Sequence, residues 1–113
     1  LALSPWHPYL YDFLLTETDQ HQGFFETENW IRQYAHDYNI PLYGSYDPTC
    51  IKGLDETDFF DGLHCKGCGI AKFFPGVPQV LQDVENNTLP DPLSVTPRTT
   101  LPVDGEENVE NVG

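Results

Sequence analysis

The sequence predicts an α/β fold, a small parallel sheet flanked by helices, and three features carry that expectation. The first is an amphipathic helix from about Thr27 to Tyr38. Trp30, Ile31, Tyr34, Ala35 and Tyr38 recur there as one broad apolar face, while Glu28, Arg32, Gln33, His36 and Asp37 point elsewhere. The second is the stop behind it. Asn39 suits a C-terminal cap and Pro41 forbids continuation, so Ile40 to Tyr43 can turn directly into a short parallel strand. The third is Leu1-Ala2-Leu3, the end of another strand, broken by Ser4-Pro5-Trp6-His7-Pro8. The apolar helix face is expected to pack on the sheet.

The other elements follow in order. Pro8 suits the first turn of a helix, and Leu10, Phe13 and Leu14 then recur at helical spacing to about Leu15. Residues 16–25 are polar apart from Phe24 and Phe25 and read as a loop with an aromatic latch. Residues 44–53 are turn-rich. Asp55-Glu56-Thr57-Asp58 reads as a helix start with acidic residues facing the positive end of the dipole, and Phe59-Phe60 tuck the following loop inward. Gly67 and Gly69 then give way to Ile70, Ala71, Phe73 and Phe74 before Pro75, a loop entering a helix. A last short helix is expected over Gln79 to Val84. Residues 1–85 thus form the folding unit. From 86 to 113 Asn, Thr, Pro, Asp and Glu dominate without periodicity, which predicts a disordered acidic tail or linker with few contacts. Asn86-Asn87-Thr88 matches a glycosylation sequon, a pattern with meaning only in a eukaryotic secreted protein.

Charge narrows the partners. Eighteen acidic residues against five basic ones give a formal charge of −13. Arg32, Lys52, Lys66, Lys72 and Arg98 form no basic stripe, so nucleic acid and anionic membrane surfaces are poor partners. No apolar run approaches the length of a membrane span. About eighty foldable residues bury a modest fraction of their surface and call for a staple, a partner or more chain.

The chemistry concentrates in Asp61-Gly62-Leu63-His64. An acidic residue three positions before a histidine, with a glycine to let the backbone turn, gives an oriented base. The carboxylate fixes one imidazole nitrogen and leaves the other free to accept a proton from a nucleophile. The two side chains are therefore expected within hydrogen-bonding reach, at the C-terminal edge of the sheet.

Phe60-Asp61-Gly62-Leu63-His64, followed by glycines and an apolar helix and preceded by the strand Ile40 to Tyr46, resembles the last block of the SGNH (GDSL-like) hydrolases. In that superfamily a D-x-x-H string supplies two members of a Ser-His-Asp triad. Leu3-Ser4-Pro5-Trp6-His7-Pro8 also resembles a strand end and loop of the cell-envelope branch, whose members act on acylated or alanylated surface polymers. The resemblance spans roughly residues 1–83 and departs from the pattern twice. Cys65 stands where the family often has proline, and no G-D-S-like nucleophile block is present. It implies the C-terminal portion of a three-layer α/β/α domain, completed by a missing N-terminal part. An opening at Leu1, without initiator methionine or signal peptide, fits that expectation. It also implies a serine esterase or acyltransferase acting on acylated carbohydrate or envelope polymer, with a cell-envelope or extracytoplasmic location. His64 would be the base and Asp61 its orienting carboxylate, no cofactor would be needed, and His7 at a strand end would line the substrate.

Serines within the chain fit the nucleophile role poorly. Ser45 follows a strand, but Asp47-Pro48 blocks the helix that a nucleophile elbow requires, and Ser4 precedes Pro5. Two other classes stay open. Cys65-Lys66-Gly67-Cys68 with Cys50 and His64 offers a Cys₃His set for zinc, and Cys50 could instead pair with Cys65 or Cys68 in an oxidising compartment. The third reading is a non-catalytic interaction module.

Overall fold

In the structure, a computed structural model describing residues 1–100, the element order is β1 (Ala2–Leu3), α1 (Pro8–Leu15), α2 (Gln22–Tyr38), β2 (Tyr43–Gly44), α3 (Gly67–Ile70) and α4 (Val77–Asn86). Single 3₁₀ turns lie at Pro48–Cys50, Glu56–Asp58 and Pro92–Ser94. The strands pair in parallel with Ala2 opposite Tyr43 and Leu3 opposite Gly44, so the α/β expectation holds as helices around a small parallel sheet. Gly44 sits at φ +84°, and a Cβ there would run into the Leu3 carbonyl and the Phe73 ring, so this strand end requires glycine.

Helix α1 has the expected bounds. His7 caps it, its Nδ1 accepting from the Tyr9 N–H at 3.1 Å, and Pro8 occupies the first turn where its missing donor costs nothing. Helix α2 begins a turn and a half before the sequence suggests. Residues 22–25, expected as loop, are helical, and Phe24 and Phe25 pack edge to face 5.1 Å apart within it. Their aromatic latch survives as a helical one: with Trp6, Leu14 and Tyr46 partly buried around them, Tyr11, Leu15 and Phe25 form one core cluster. Leu3, Ala35 and Leu42 form the other, with Ile31, Ile40 and Tyr46 against it. Asn39 ends α2 in the left-handed conformation, φ 53°, as its position before Pro41 implies.

The buried face of α2 corrects the sequence reading. Trp30, Tyr34 and Tyr38 are exposed, Trp30 by 78%. Beside Phe25 and Ala35 the helix instead buries Glu28 and Arg32. These charges enter the interior because they neutralise each other and satisfy the sheet edge. Arg32 Nε donates to Glu28 Oε2 at 2.7 Å, its two Nη groups donate to Gly44 O at 2.6 Å and Pro92 O at 3.1 Å, and Glu28 accepts from Ser45 Oγ and the Tyr46 N–H. An apolar moment cannot register a face whose core is an ion pair.

Asp55 to Asp58 forms only a 3₁₀ turn, closed by a capping box in which Asp55 and Asp58 each bond the other's backbone region. Helix α3 is a single turn, and α4 is longer than expected at both ends. The largest departure concerns the expected tail. Residues 88–100 run back over the body: the Pro92–Ser94 turn lies on α2, Pro97 is buried, and Arg98 pairs with Asp47 and Asp12. Composition suggested disorder because the anchors of this segment, Arg98 on Asp47 and Arg32 on the Pro92 carbonyl, join residues far apart in sequence. The rest of the expected tail, 101–113, lies outside the described residues.

Candidate active site

Asp58 is the post on which the candidate loop stands. It is buried, and Lys72 Nζ lies 2.8 Å from its Oδ2 while the Asp55 N–H and Cys68 Sγ donate to the same carboxylate. Lys72 foremost holds the Asp58 carboxyl below its usual range. The Asp58 carbonyl accepts from the Lys66 N–H, which fixes the start of α3. Phe59 then bridges Cys65 antiparallel, and the Phe60 N–H donates to His64 O at 2.8 Å. These bonds pinch residues 60–64 into a tight projecting turn. Gly69 lets it close against α3, since a Cβ there would lie 2.5 Å from Cys65 Sγ and 2.8 Å from Asp58 Cβ.

At the tip Asp61 does two jobs. Its Oδ1 accepts from the Leu63 and His64 backbone N–H groups, both at 2.9 Å, and both carboxylate oxygens lie 2.8 Å from His64 Nδ1. The Leu63 N–H first, then the imidazole and the His64 N–H, pull the Asp61 pKa down to about 2. An ionised carboxylate accepts only, so Nδ1 carries the proton that faces it, and Nε2 is the ring nitrogen left for proton exchange. The pair is open to solvent, with 73% of the His64 side chain and 58% of that of Asp61 exposed. Exposed Phe60 and Leu63 rim it.

The turn is anchored to the sheet end. The His7 N–H donates to Gly62 O at 3.0 Å, and His7 follows β1 by four residues, so the Asp61–His64 turn lies beyond the C-terminal end of that strand. The His7 ring packs 5.3 Å from Phe59 and 5.1 Å from Tyr9. The structure thus brings His7, Asp61 and His64 to one side of the molecule. His7 Nδ1 is consumed by the α1 cap, a role its position before Pro8 could have suggested.

Ser45 is a turn residue, as Asp47-Pro48 implies. It is buried, its Oγ donates to Glu28 Oε2 at 2.7 Å, and it accepts from the Asp47 N–H. Among the described residues no hydroxyl bonds the His64 ring. The cysteines do not gather with His64: Cys50 Sγ faces the Thr96 carbonyl, Cys68 faces Asp58, all three are free thiols, and no cluster of three or more His, Cys, Asp or Glu side chains suited to a metal occurs among the described residues. None of their described helices is long and apolar enough to cross a membrane. No family model, curated protein or solved structure matches the chain.

Proposed function

We propose that Asp61 and His64 are the orienting carboxylate and general base of a Ser-His-Asp triad in a serine esterase or acyltransferase acting on acylated carbohydrate or cell-envelope polymer. The observation that supports this is the pairing of both Asp61 oxygens with His64 Nδ1 at 2.8 Å, on a rigid turn past a parallel strand. His64 Nε2 takes the proton from a serine as it attacks the ester carbonyl, and the imidazolium so formed is stabilised by Asp61. His64 then returns the proton to the leaving alkoxide, and a second round with water or an acceptor hydroxyl releases the acyl group. His7 borders the substrate on the β1 side. The serine comes from polypeptide other than the 113 residues here, because Ser45 is spent on Glu28 and Ser94 Oγ on the Asp91 carbonyl. Ser4 precedes Pro5, outside any elbow.

The test is hydrolysis of short-chain acyl esters by the gene product that carries this chain. His64→Ala is expected to lower kcat by about 10³-fold or more, as loss of a triad base does. Undiminished turnover by that variant would remove the triad reading. An interaction-module reading has one observation in its favour, the exposed Trp30, Tyr34 and Tyr38 row. It predicts no esterase activity in any form of the protein.

A further inference from the structure

Helix α2 turns a second face outward, and that face is ordered. Trp30, Tyr34 and Tyr38 follow one another at intervals of four, so their rings form a row along about 12 Å of the helix. Each of the three is more than half exposed, because the core side of α2 is given to Phe25, Glu28, Arg32 and Ala35. Tyr34 and Tyr38 lean on each other with ring centroids 4.7 Å apart, which holds both rings in place before anything binds.

Two exposed carboxylates border the row. Glu26 lies one turn before Trp30, and Asp37 lies one turn after Tyr34. Glu26 Oε1 accepts from Gln22 Nε2 at 2.9 Å, while Asp37 Oδ1 accepts from Gln33 Nε2 at 2.8 Å and lies 3.2 Å from His36 Nδ1. The second oxygen of each carboxylate has no partner among the described residues. The Gln33 bond foremost holds the Asp37 carboxyl below its ordinary range, so it is ionised at neutral pH. Arg32, the one arginine of α2, is buried on Glu28 and lends the row no positive charge. A ligand that fits carries flat C–H faces for the rings, hydroxyl donors for the free oxygens, and positive charge that both the ring faces and the carboxylates attract. The formal charge of −13 draws partners of the same positive sign. A peptide fits less well, since an extended one needs a strand edge and a helical one a groove, whereas the row is a ridge on a helix whose backbone is already bonded.

We propose that the row of Trp30, Tyr34 and Tyr38, flanked by Glu26 and Asp37, binds a glycan whose sugars carry free amino groups. The rings stack on the sugar faces, the free carboxylate oxygens accept from hydroxyls, and the ammonium groups lie between rings and carboxylates. No residue of the row belongs to the Asp61–His64 turn, so the inference goes beyond the esterase reading and does not depend on it.

The experiment is calorimetric titration of the gene product carrying this chain with a β-linked glucosamine hexamer, at a pH that keeps its amines protonated, beside the N-acetylated hexamer and a lysine hexapeptide. The amino form is expected to bind most tightly of the three, by about 10-fold or more over the N-acetylated form. Trp30→Ala should weaken it by about 3-fold or more, as loss of an exposed cation–π contact does, and Trp30→Phe should recover most of that loss. Glu26→Gln together with Asp37→Asn should bring the amino form down to the level of the N-acetylated one. These side chains are exposed, so the thermal midpoint should not move. Absence of binding overturns the proposal, and so does equal binding of the two hexamers. Tighter binding of the lysine hexapeptide gives the face to a polypeptide. Parental affinity in Trp30→Ala places the glycan elsewhere on the acidic surface, and self-association that is lost in Trp30→Ala gives the row to a second copy; either result also overturns it. The two readings fail separately: hydrolysis of short-chain esters should be untouched by the row variants, and glycan binding should be untouched by His64→Ala.

Discussion

Arg98 closes on Asp47 across fifty-one residues of chain, its Nε 3.0 Å from Oδ2, its Nη2 3.0 Å from Oδ1 and its own backbone N–H 2.8 Å from Oδ2. Asp47 is wholly buried, and Arg98 also lies 5.4 Å over the Tyr11 ring and pairs with Asp12. This clasp fastens the C-terminal strap to α1 and to the turn after β2. Arg98→Ala would strand a buried carboxylate, which costs about 3 kcal/mol. Urea denaturation should show it, and removing residues 87–113 should lower the thermal midpoint by many degrees. An unchanged midpoint would mean the strap adds nothing to the core.

The same clasp sets an acid limit. Burial pushes the Asp47 carboxyl upward, but the Arg98 side chain and N–H, then Thr49, outweigh it and hold the pKa below the ordinary value. Asp61 is held down to about 2. A depressed carboxyl pKa contributes stability above its unfolded value and loses it as pH falls through the folded one. Stability should thus decline with acid below about pH 4, the ordinary carboxylate range, while the Asp61 turn persists to near pH 2. Carboxyl carbon shifts followed by NMR check both; an Asp61 midpoint near 4 would mean the turn is open in solution.

Much of the candidate site was legible because its bonds are local. The Asp61–His64 contact spans three residues, the His7-Pro8 start of α1 and the Asn39-Pro41 stop of α2 are written in adjacent side chains, and each stands where the sequence puts it. The interior of α2 was not legible. Glu28 and Arg32 read as solvent-facing charges, and only the later positions of Gly44, Ser45 and Pro92 make their burial favourable. Residues 22–25 hid their helix behind Gly23 and polar neighbours, and the strap hid behind its composition. In each case the deciding partner lies at least twelve residues away or depends on tertiary packing, where periodicity leaves no mark.

The Glu28 cluster therefore carries a stability prediction distinct from chemistry. Glu28→Ala would leave Arg32 charged and buried and should destabilise by about 3–5 kcal/mol. Ser45→Ala removes the hydrogen bond to Glu28, which keeps its other donors, and also the acceptor of the buried Asp47 N–H, at a cost of about 1–3 kcal/mol. The ester hydrolysis rate of folded Ser45→Ala should equal that of the parent. A collapse of that rate without loss of fold would make Ser45 the nucleophile.

Gly69 tests the support of the turn. A methyl there meets Cys65 Sγ and Asp58 Cβ well inside van der Waals contact, so Gly69→Ala should destabilise by about 1–3 kcal/mol. It should also displace His64 from Asp61, seen as a rise of the Asp61 titration midpoint toward the ordinary range. A midpoint still near 2 would place the support elsewhere.

The central claim is that Asp61 orients His64 for proton transfer. The most direct measurement is the ester hydrolysis rate of Asp61→Asn in the gene product carrying this chain, taken beside His64→Ala. An asparagine keeps the acceptor for the two turn amides but cannot hold the proton on Nδ1 or stabilise the imidazolium, so the account predicts an intact fold with kcat lowered by about 10²–10⁴-fold. A variant that folds and turns over ester at the parental rate would contradict it.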